Sequence, residues 1–331
     1  LTRAVDPLGG SVELHYAISS QLQTESGLPA NPEMALRRPV VTRVTRRDGR
    51  AGSPAIVSEL WYGGGVFDFA EREFRGFATV IETEREADVD PTRISSSYLT
   101  DRVCASSLAS REVARGESVL ERESLDYLQV VGGGTGEAQR WGRCLLASRT
   151  EEAVEGSEAA RRTRRTVWNY GDPIDASYNV ARLEEWGEWD PATGQDVPGD
   201  ERITELGYAA ASDGFPSIVS RLNSELVKDA AGNVYSKRQY CHSGASSCSS
   251  AGNGKPEVVV AYLTDYFSSP PIIDAPRTVA TISYDAWGNP TQHTGAATPD
   301  DPDGLRTEID YDPTYRTFPT KIRRGADVAA P

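Results

Sequence analysis

Along most of this chain polar residues alternate with Val, Ile, Leu or an aromatic, and seven of the alternating runs reach a tyrosine before breaking into Gly, Asp or Pro. The runs are Ser11–Tyr16, Val57–Tyr62, Arg165–Tyr170, Arg202–Tyr208, Tyr235–Tyr240, Thr281–Asp285 and Thr307–Asp312. Successive side chains of a β-strand point to opposite faces, so each run predicts a strand with one apolar and one polar side. A single hairpin of this kind cannot bury its apolar face alone, and stability has to come from neighbouring copies. The repetition therefore predicts a mostly β fold of repeated antiparallel hairpins.

The breaks between runs are turn signals. Asp6-Pro7-Leu8-Gly9-Gly10 reads as a hairpin turn, with Pro7 presetting one torsion and glycine supplying a positive φ. Asp48-Gly49-Arg50 is a second turn, and Gln21 to Arg38, polar and carrying Pro29 and Pro32, reads as a surface connection into the strand Val40–Val44. Asp229-Ala230-Ala231-Gly232-Asn233 and Asp285-Ala286-Trp287-Gly288-Asn289 share the spacing Asp-x-x-Gly-Asn, in which Gly-Asn is expected to supply the left-handed torsions. Ser110–Gln129 and Cys144–Arg165 have the propensity for helix or strand, and the strands expected on both sides favour strands. Tyr62 to Val80 interleaves aromatics and charges with glycines. It reads as a tight loop with phenylalanines packed beneath and Glu71, Arg72, Glu73 and Arg75 paired among themselves; a binding reading would make Glu73 and Arg75 ligands for a polar partner.

Composition narrows the function. The chain has 331 residues, 38% of them apolar, with 30 Gly and 20 Pro, which suits a folded, turn-rich β protein. A formal net charge of -14 opposes binding to nucleic-acid phosphates or to an anionic membrane. No stretch approaches the roughly 18 consecutive apolar residues of a membrane-spanning helix. The chain opens mid-hairpin in character, as a segment of a longer protein would. Cys241 and Cys248 bracket a loop of small residues that a local disulfide can close in an oxidising compartment, whereas Cys104 and Cys144 read as unpaired and buried. His15, His242 and His293 lack zinc-ligand spacing. Asp300-Asp301-Pro302-Asp303-Gly304 reads as an acidic surface turn, and Gly132-Gly133-Gly134-Thr135-Gly136 lacks the Lys-Ser or Lys-Thr of a phosphate-cradling loop. No Gly-x-Ser-x-Gly element is present, and Glu184, Glu185 and Glu188 are the sort of cluster that 49 acidic residues produce by chance. We expect no catalytic, cofactor-binding or metal-ligating residue.

Tyr284-Asp285-Ala286-Trp287-Gly288-Asn289 resembles the repeating unit of the YD-repeat (Rhs) family. The block Leu60–Val80, with Tyr62, Phe67, Asp68, Arg72, Glu73, Phe74, Arg75, Gly76 and Phe77, resembles the middle region of the TcdB-like B component of insecticidal toxin complexes, which follows SpvB-type domains. The closing stretch with Tyr311, Asp312, Phe318 and Pro319 is similar to another landmark of those proteins. The resemblance implies two segments, a toxin-complex B middle region over 1–165 and a YD-repeat shell segment over 166–331. It further implies a spiral shell that encloses a toxic polypeptide and helps deliver it, secreted from a bacterium. The expected partners are the remaining shell or a C component, the enclosed toxin and a translocation component, with no cofactor. Members of the family can cleave their own cargo through C-terminal aspartates, and no matching motif is present here. The alternative readings are an extracellular carbohydrate- or cell-surface-binding repeat protein and, behind it, a hydrolase on a β scaffold.

Overall fold

A computed structural model describes residues 2–34, 36–87, 89–132, 141–154, 161–171, 177–190, 193, 195–210, 219–242, 248, 252–263, 276–295 and 304–325. Two sequence features discussed above, Gly133–Gly136 and Asp300–Asp303, lie outside them. The chain divides into two compact units, Leu1–Val167 with Gly187–Asp196, and Trp168–Trp186 with Val197–Pro331.

The first unit is an antiparallel meander. Its strands are β1 (Arg3–Val5), β2 (Ser11–Ile18), β3 (Pro39–Arg47), β4 (Ile56–Asp68), β5 (Glu73–Arg85), β6 (Thr92–Tyr98), β7 (Leu108–Arg115), β8 (Ser118–Gly132), β9 (Trp141–Val154) and β10 (Arg161–Asn169). Each pairs antiparallel with the next in sequence. The charged stretches that propensity left open are the long strands β7 to β10. Their side chains alternate faces, and each position finds a cross-strand partner that a helix would not provide. A small two-stranded ladder, β11 (Arg182–Trp186) excluded, joins β12 (Trp189–Asp190) to β13 (Gln195–Asp196).

In the second unit β11 pairs with β14 (Arg202–Tyr208), followed by β15 (Leu222–Lys228), β16 (Val234–His242), β17 (Pro256–Leu263), β18 (Pro276–Tyr284), β19 (Pro290–Thr294), β20 (Arg306–Tyr311) and β21 (Pro319–Arg324). Again every strand pairs antiparallel with its successor.

The turns explain the repeated Asp. At Asp229–Asn233 and Asp285–Asn289 the Asp amide donates to the Asn carbonyl at 3.0 Å, and the glycine amide donates to the Asp carbonyl at 3.1 Å. The Asp carboxylate then accepts both the Asn amide and the Asn side chain. Only the glycines are left-handed, Gly232 at φ 91 and Gly288 at φ 92; the asparagines are not, and their task is to bind the aspartate. The expectation that Asn shares the left-handed torsion is therefore corrected. Asp6–Gly10 closes in the same way without the Asn, with Gly9 at φ 92.

The tyrosines mark β-bulges. The strand register slips immediately before Tyr16, Tyr98, Tyr127, Tyr208, Tyr284 and Tyr311. A bulge sets two residues against one and re-aims the side chain that follows it. The hydroxyls of Tyr127, Tyr208, Tyr284 and Tyr311 each donate to a backbone carbonyl at or near the start of the preceding strand in the ladder: Leu108 at 2.8 Å, Val180 at 3.0 Å, Pro256 at 2.7 Å and Pro290 at 3.2 Å. Each such tyrosine slips against one neighbour and staples itself to the other. Burial raises the Tyr284 phenol above its ordinary pKa, so it stays a donor at neutral pH. We expect Tyr284→Phe to destabilise the chain by about 1 kcal/mol, the net value of one such bond, with fold unchanged; a urea midpoint identical to that of the parent would refute the staple.

The tyrosine does not always end its strand, however. Tyr16, Tyr62 and Tyr240 lie inside β2, β4 and β16, which run on past them.

Candidate functional site

The block singled out by sequence is a long hairpin of β4 and β5 instead of a tight loop. Only Phe69–Arg72 turn, because the strand alternation persists through the glycines and the two strands pair from Val57 with Arg85 to Asp68 with Glu73. The Asp68 carboxylate accepts the amides of Ala70 at 2.9 Å and Glu71 at 3.0 Å, and Arg72 takes the left-handed torsion, φ 56. Arg75, with 5% of its side chain exposed, is held by Asp68 at 3.1 Å, Glu73 at 3.1 Å and Glu71. It also donates to the Arg102 carbonyl at 3.1 Å, while Arg102 pairs with Glu71. The turn is thus tied to the loop after β6. Burial opposes the Arg75 charge, but the hydrogen bonds it donates to Asp68 and Glu71 outweigh this and raise its pKa. With both terminal nitrogens of Arg75 engaged inside the protein, the pairing reading fits this geometry better than the ligand reading.

Gly76 is left-handed at φ 104, and a Cβ there would stand 2.7 Å from the Ser106 hydroxyl, which itself donates to the Arg75 carbonyl. The aromatics pack beside the turn: Phe67 on Phe69 at 5.3 Å, Phe74 on Phe77 at 5.2 Å and Tyr62 on Phe77 at 5.1 Å, with the Arg38 guanidinium 4.5 Å above Phe74.

The connection from Gln21 to Arg38 is more than surface. Asn31 is buried, and its side chain donates to the carbonyls of Ser19 at 3.0 Å and Tyr62 at 3.1 Å and accepts the Gly65 amide at 2.8 Å. Gly64 donates to the Ala30 carbonyl at 2.9 Å. A Cβ on Gly65 would meet the Met34 sulfur at 2.8 Å, so the glycines let this segment lie directly on β4. Proline content and polarity in the sequence hid this docking; the run Gly63-Gly64-Gly65 was the available signal.

The four cysteines form two bridges, Cys104–Cys144 and Cys241–Cys248. The reading of Cys104 and Cys144 as unpaired is overturned: they are 40 residues apart in sequence, but the β6–β7 loop brings their Cα atoms to 5.0 Å.

Further along, β7 to β10 carry charge on both faces. Arg111, Glu123, Glu151 and Arg164 lie opposite one another in register, and so do the adjacent Glu112, Arg122, Glu152 and Thr163 on the other face. Arg149 bonds Glu123 at 2.6 Å and Glu151 at 2.9 Å on the first face; Arg122 bonds Glu112 at 3.1 Å and reaches Glu152 at 3.7 Å on the second.

In the second unit the structure brings the remaining landmarks together. Tyr284, Asp285, Gly288 and Asn289 form one turn, and Tyr311, Asp312, Phe318 and Pro319 frame the next, in which Asp312 accepts the Thr314 and Tyr315 amides at 2.9 and 2.7 Å. The turns touch: the Asn289 side chain donates to the Arg316 carbonyl at 2.5 Å, and the Arg316 guanidinium lies 4.9 Å from the Trp287 ring. Among the described residues no group of three or more His, Cys, Asp or Glu is arranged to hold a metal.

The carboxyls of these turns respond to pH in one direction. Asp229 is lowered chiefly by the Asn233 side chain, and Asp68 by the Glu71 amide and then Arg75; burial pushes Asp285 up, but Asn289 and the turn amides leave it lowered. A carboxyl depressed in the fold contributes stability above its unfolded pKa, near 3.9, and loses it as pH falls through the folded value. We therefore expect a flat urea midpoint above about pH 5 and a decline below about pH 4, shallower in Asp285→Asn. A midpoint that rises on acidification would contradict it.

Residues 1–105 match the family described as the insecticide toxin TcdB middle/N-terminal region. No curated protein sequence is significantly similar to the chain. Among solved structures, the TcdB2–TccC3–Cdc42 complex resembles this fold with a TM-score of 0.63 and 11% identity over 95% of this chain and 23% of that one. The TcdB2–TccC3 structure without its hypervariable C-terminal region gives the same values. The Photorhabdus luminescens Tc holotoxin pore gives 0.60 and 11%, over 96% of this chain and 23% of that one. This chain thus spans about a quarter of the length of the structures it matches, and at such identities the likeness is one of fold. Over residues 1–105 the chain is thus similar to a TcdB middle/N-terminal region, and its described residues have the nearly all-β, antiparallel fold of these toxin-complex structures.

Proposed function

We propose that this chain is a non-enzymatic wall segment of a YD-repeat shell, secreted as part of a toxin complex, that encloses a toxic polypeptide and assists its delivery. One observation carries the reading: β7 to β10 present paired charges on both faces, so both sides of this sheet suit water or a polar polypeptide, and neither is built as the face of a closed apolar core. Such strands hold together through their ladders and cross-strand pairs, which is what a thin wall between a polar lumen and solvent requires. The structural relatives are TcdB2 in complex with TccC3, which supports a C component as partner and a translocation component beyond it. In this reading 1–165 is the B middle region, 166–331 is shell, and the repeated turn residues are structural.

Cryo-electron microscopy of the longer protein with its C-terminal partner tests it. Strands of this chain lining a closed shell around unassigned density are the expected result, and an open sheet with no interior compartment would overturn the proposal.

A further inference from the structure

Within the first unit, the Gln21–Arg38 segment and the middle of the sheet border a cavity of about 910 Å³ that the wall reading does not use. Its floor is one face of β4, β5 and β6. Trp61 lies opposite Ile81, Ile81 opposite Ser95 and Thr83 opposite Arg93, so Trp61, Ile81, Thr83 and Arg93 all stand on that face. The wall is the stretch Gln23–Ser26.

Trp61 is fixed from two directions. Its indole N–H donates to the Gln23 carbonyl at 2.8 Å, and its six-membered ring fills the space over β4 that a side chain at Gly63 would need. An aromatic already held in one orientation loses little freedom when a ligand packs on it.

Across the floor, two polar groups are uncommitted. Neither the Thr83 hydroxyl nor the exposed Arg93 guanidinium has a partner among the described residues, whereas Arg85, the other cation at this cavity, is taken by Glu59 at 3.2 Å. Two strand spacings across and two residues along put the Trp61 and Arg93 Cα atoms about 12 Å apart, with Thr83 on the strand between them. Glu25, on the wall, adds an acceptor. A pinned indole, a hydroxyl, an acceptor and a free guanidinium together suit a ligand with an apolar ring face, a hydroxylated rim and a negative charge one ring further on.

We propose that this cavity binds an acidic oligosaccharide. One pyranose ring packs its C–H face on Trp61, whose ring face is the negative side of its quadrupole, and the carboxylate of the next ring accepts paired N–H bonds from Arg93. Thr83 and Glu25 serve the ring hydroxyls as donor and acceptor. A neutral sugar lacks the group that Arg93 requires, and a small anion leaves Trp61 uncovered. The site stands on β4 to β6 alone and does not depend on the wall reading.

Calorimetric titration of the 331-residue chain at pH 7 with a disaccharide of galacturonic acid, beside the matching galactose disaccharide, tests it. We expect saturable binding of the acidic sugar and about tenfold weaker binding of the neutral one, the equivalent of one charge-assisted hydrogen bond. Arg93→Gln should remove that preference by weakening the acidic sugar alone, while Arg111→Gln, the same loss of charge on the opposite face, should change neither. The stacking is read in the parent chain by saturation-transfer NMR, in which the protons of one pyranose face should receive most of the saturation. No binding at millimolar sugar, equal binding of the two sugars, equal weakening by Arg93→Gln and Arg111→Gln, or saturation spread evenly over both rings would overturn the proposal. These outcomes leave the shell reading untouched, since that stands on an enclosed compartment.

Discussion

Replacing both Cys104 and Cys144 by alanine should lower the stability of the chain by about 4 kcal/mol, the chain entropy that a cross-link over 40 residues removes from the unfolded state. The loop so closed contains all of β7 and β8. The bridge also holds the loop that receives Arg75. Cys104 is 1% exposed, and the Arg102 carbonyl and Ser106 hydroxyl on either side of it contact Arg75. Removing Cys241 and Cys248 instead, only 7 residues apart, should cost about 2 kcal/mol by the same relation. Urea unfolding of the two double variants checks both the size and the order; equal losses, or the larger one at Cys241–Cys248, would contradict the loop-length argument.

Asn31→Ala should cost about 3 kcal/mol. The side chain serves two carbonyls and one amide on two separate segments, the Ser19 turn and β4, and alanine strands all three groups in a buried site. Aspartate is nearly the same shape but lacks the two donors and sets a charge beside the Ser19 and Tyr62 carbonyls, so Asn31→Asp should be at least as damaging at neutral pH. Loss of shape complementarity alone would instead leave the aspartate variant near the parent. Urea midpoints at pH 7 separate the two, and a loss under about 1 kcal/mol in both variants would mean that the Gln21–Arg38 segment is not anchored through this residue.

Much of the architecture was legible in the residues themselves. The period-2 alternation located the strands, including the charged ones from Ser110 to Arg165, because strand formation here is a local property of side chains that fit a pleated surface. The Asp-x-x-Gly-Asn spacing located two turns because their bonds close within five residues. The aromatic and charged block was recognised as a unit, and of its expected pairings of Glu71, Arg72, Glu73 and Arg75, those of Arg75 with Glu71 and Glu73 are present, as the cost of burying the arginine alone requires. What escaped was whatever joins residues distant in sequence. Asn31 belongs with Tyr62 and Gly65 only once the segment has folded back over β4, and nothing near Cys104 points to Cys144.

The tyrosines show the division most clearly. Their spacing in the sequence announced a repeated hairpin, since each copy carries its own alternation and its own break. It did not announce that the residue follows a bulge or that its hydroxyl reaches the preceding strand, because both depend on the register between strands, which is a relation between chain segments tens of residues apart. By itself the sequence determined strand content and the places of the turns, both set by neighbours along the chain. The tertiary structure alone decided the register, the charge on both faces of β7 to β10, the cross-linked cysteines and the buried Asn31, because those depend on which strands the folded chain lays side by side.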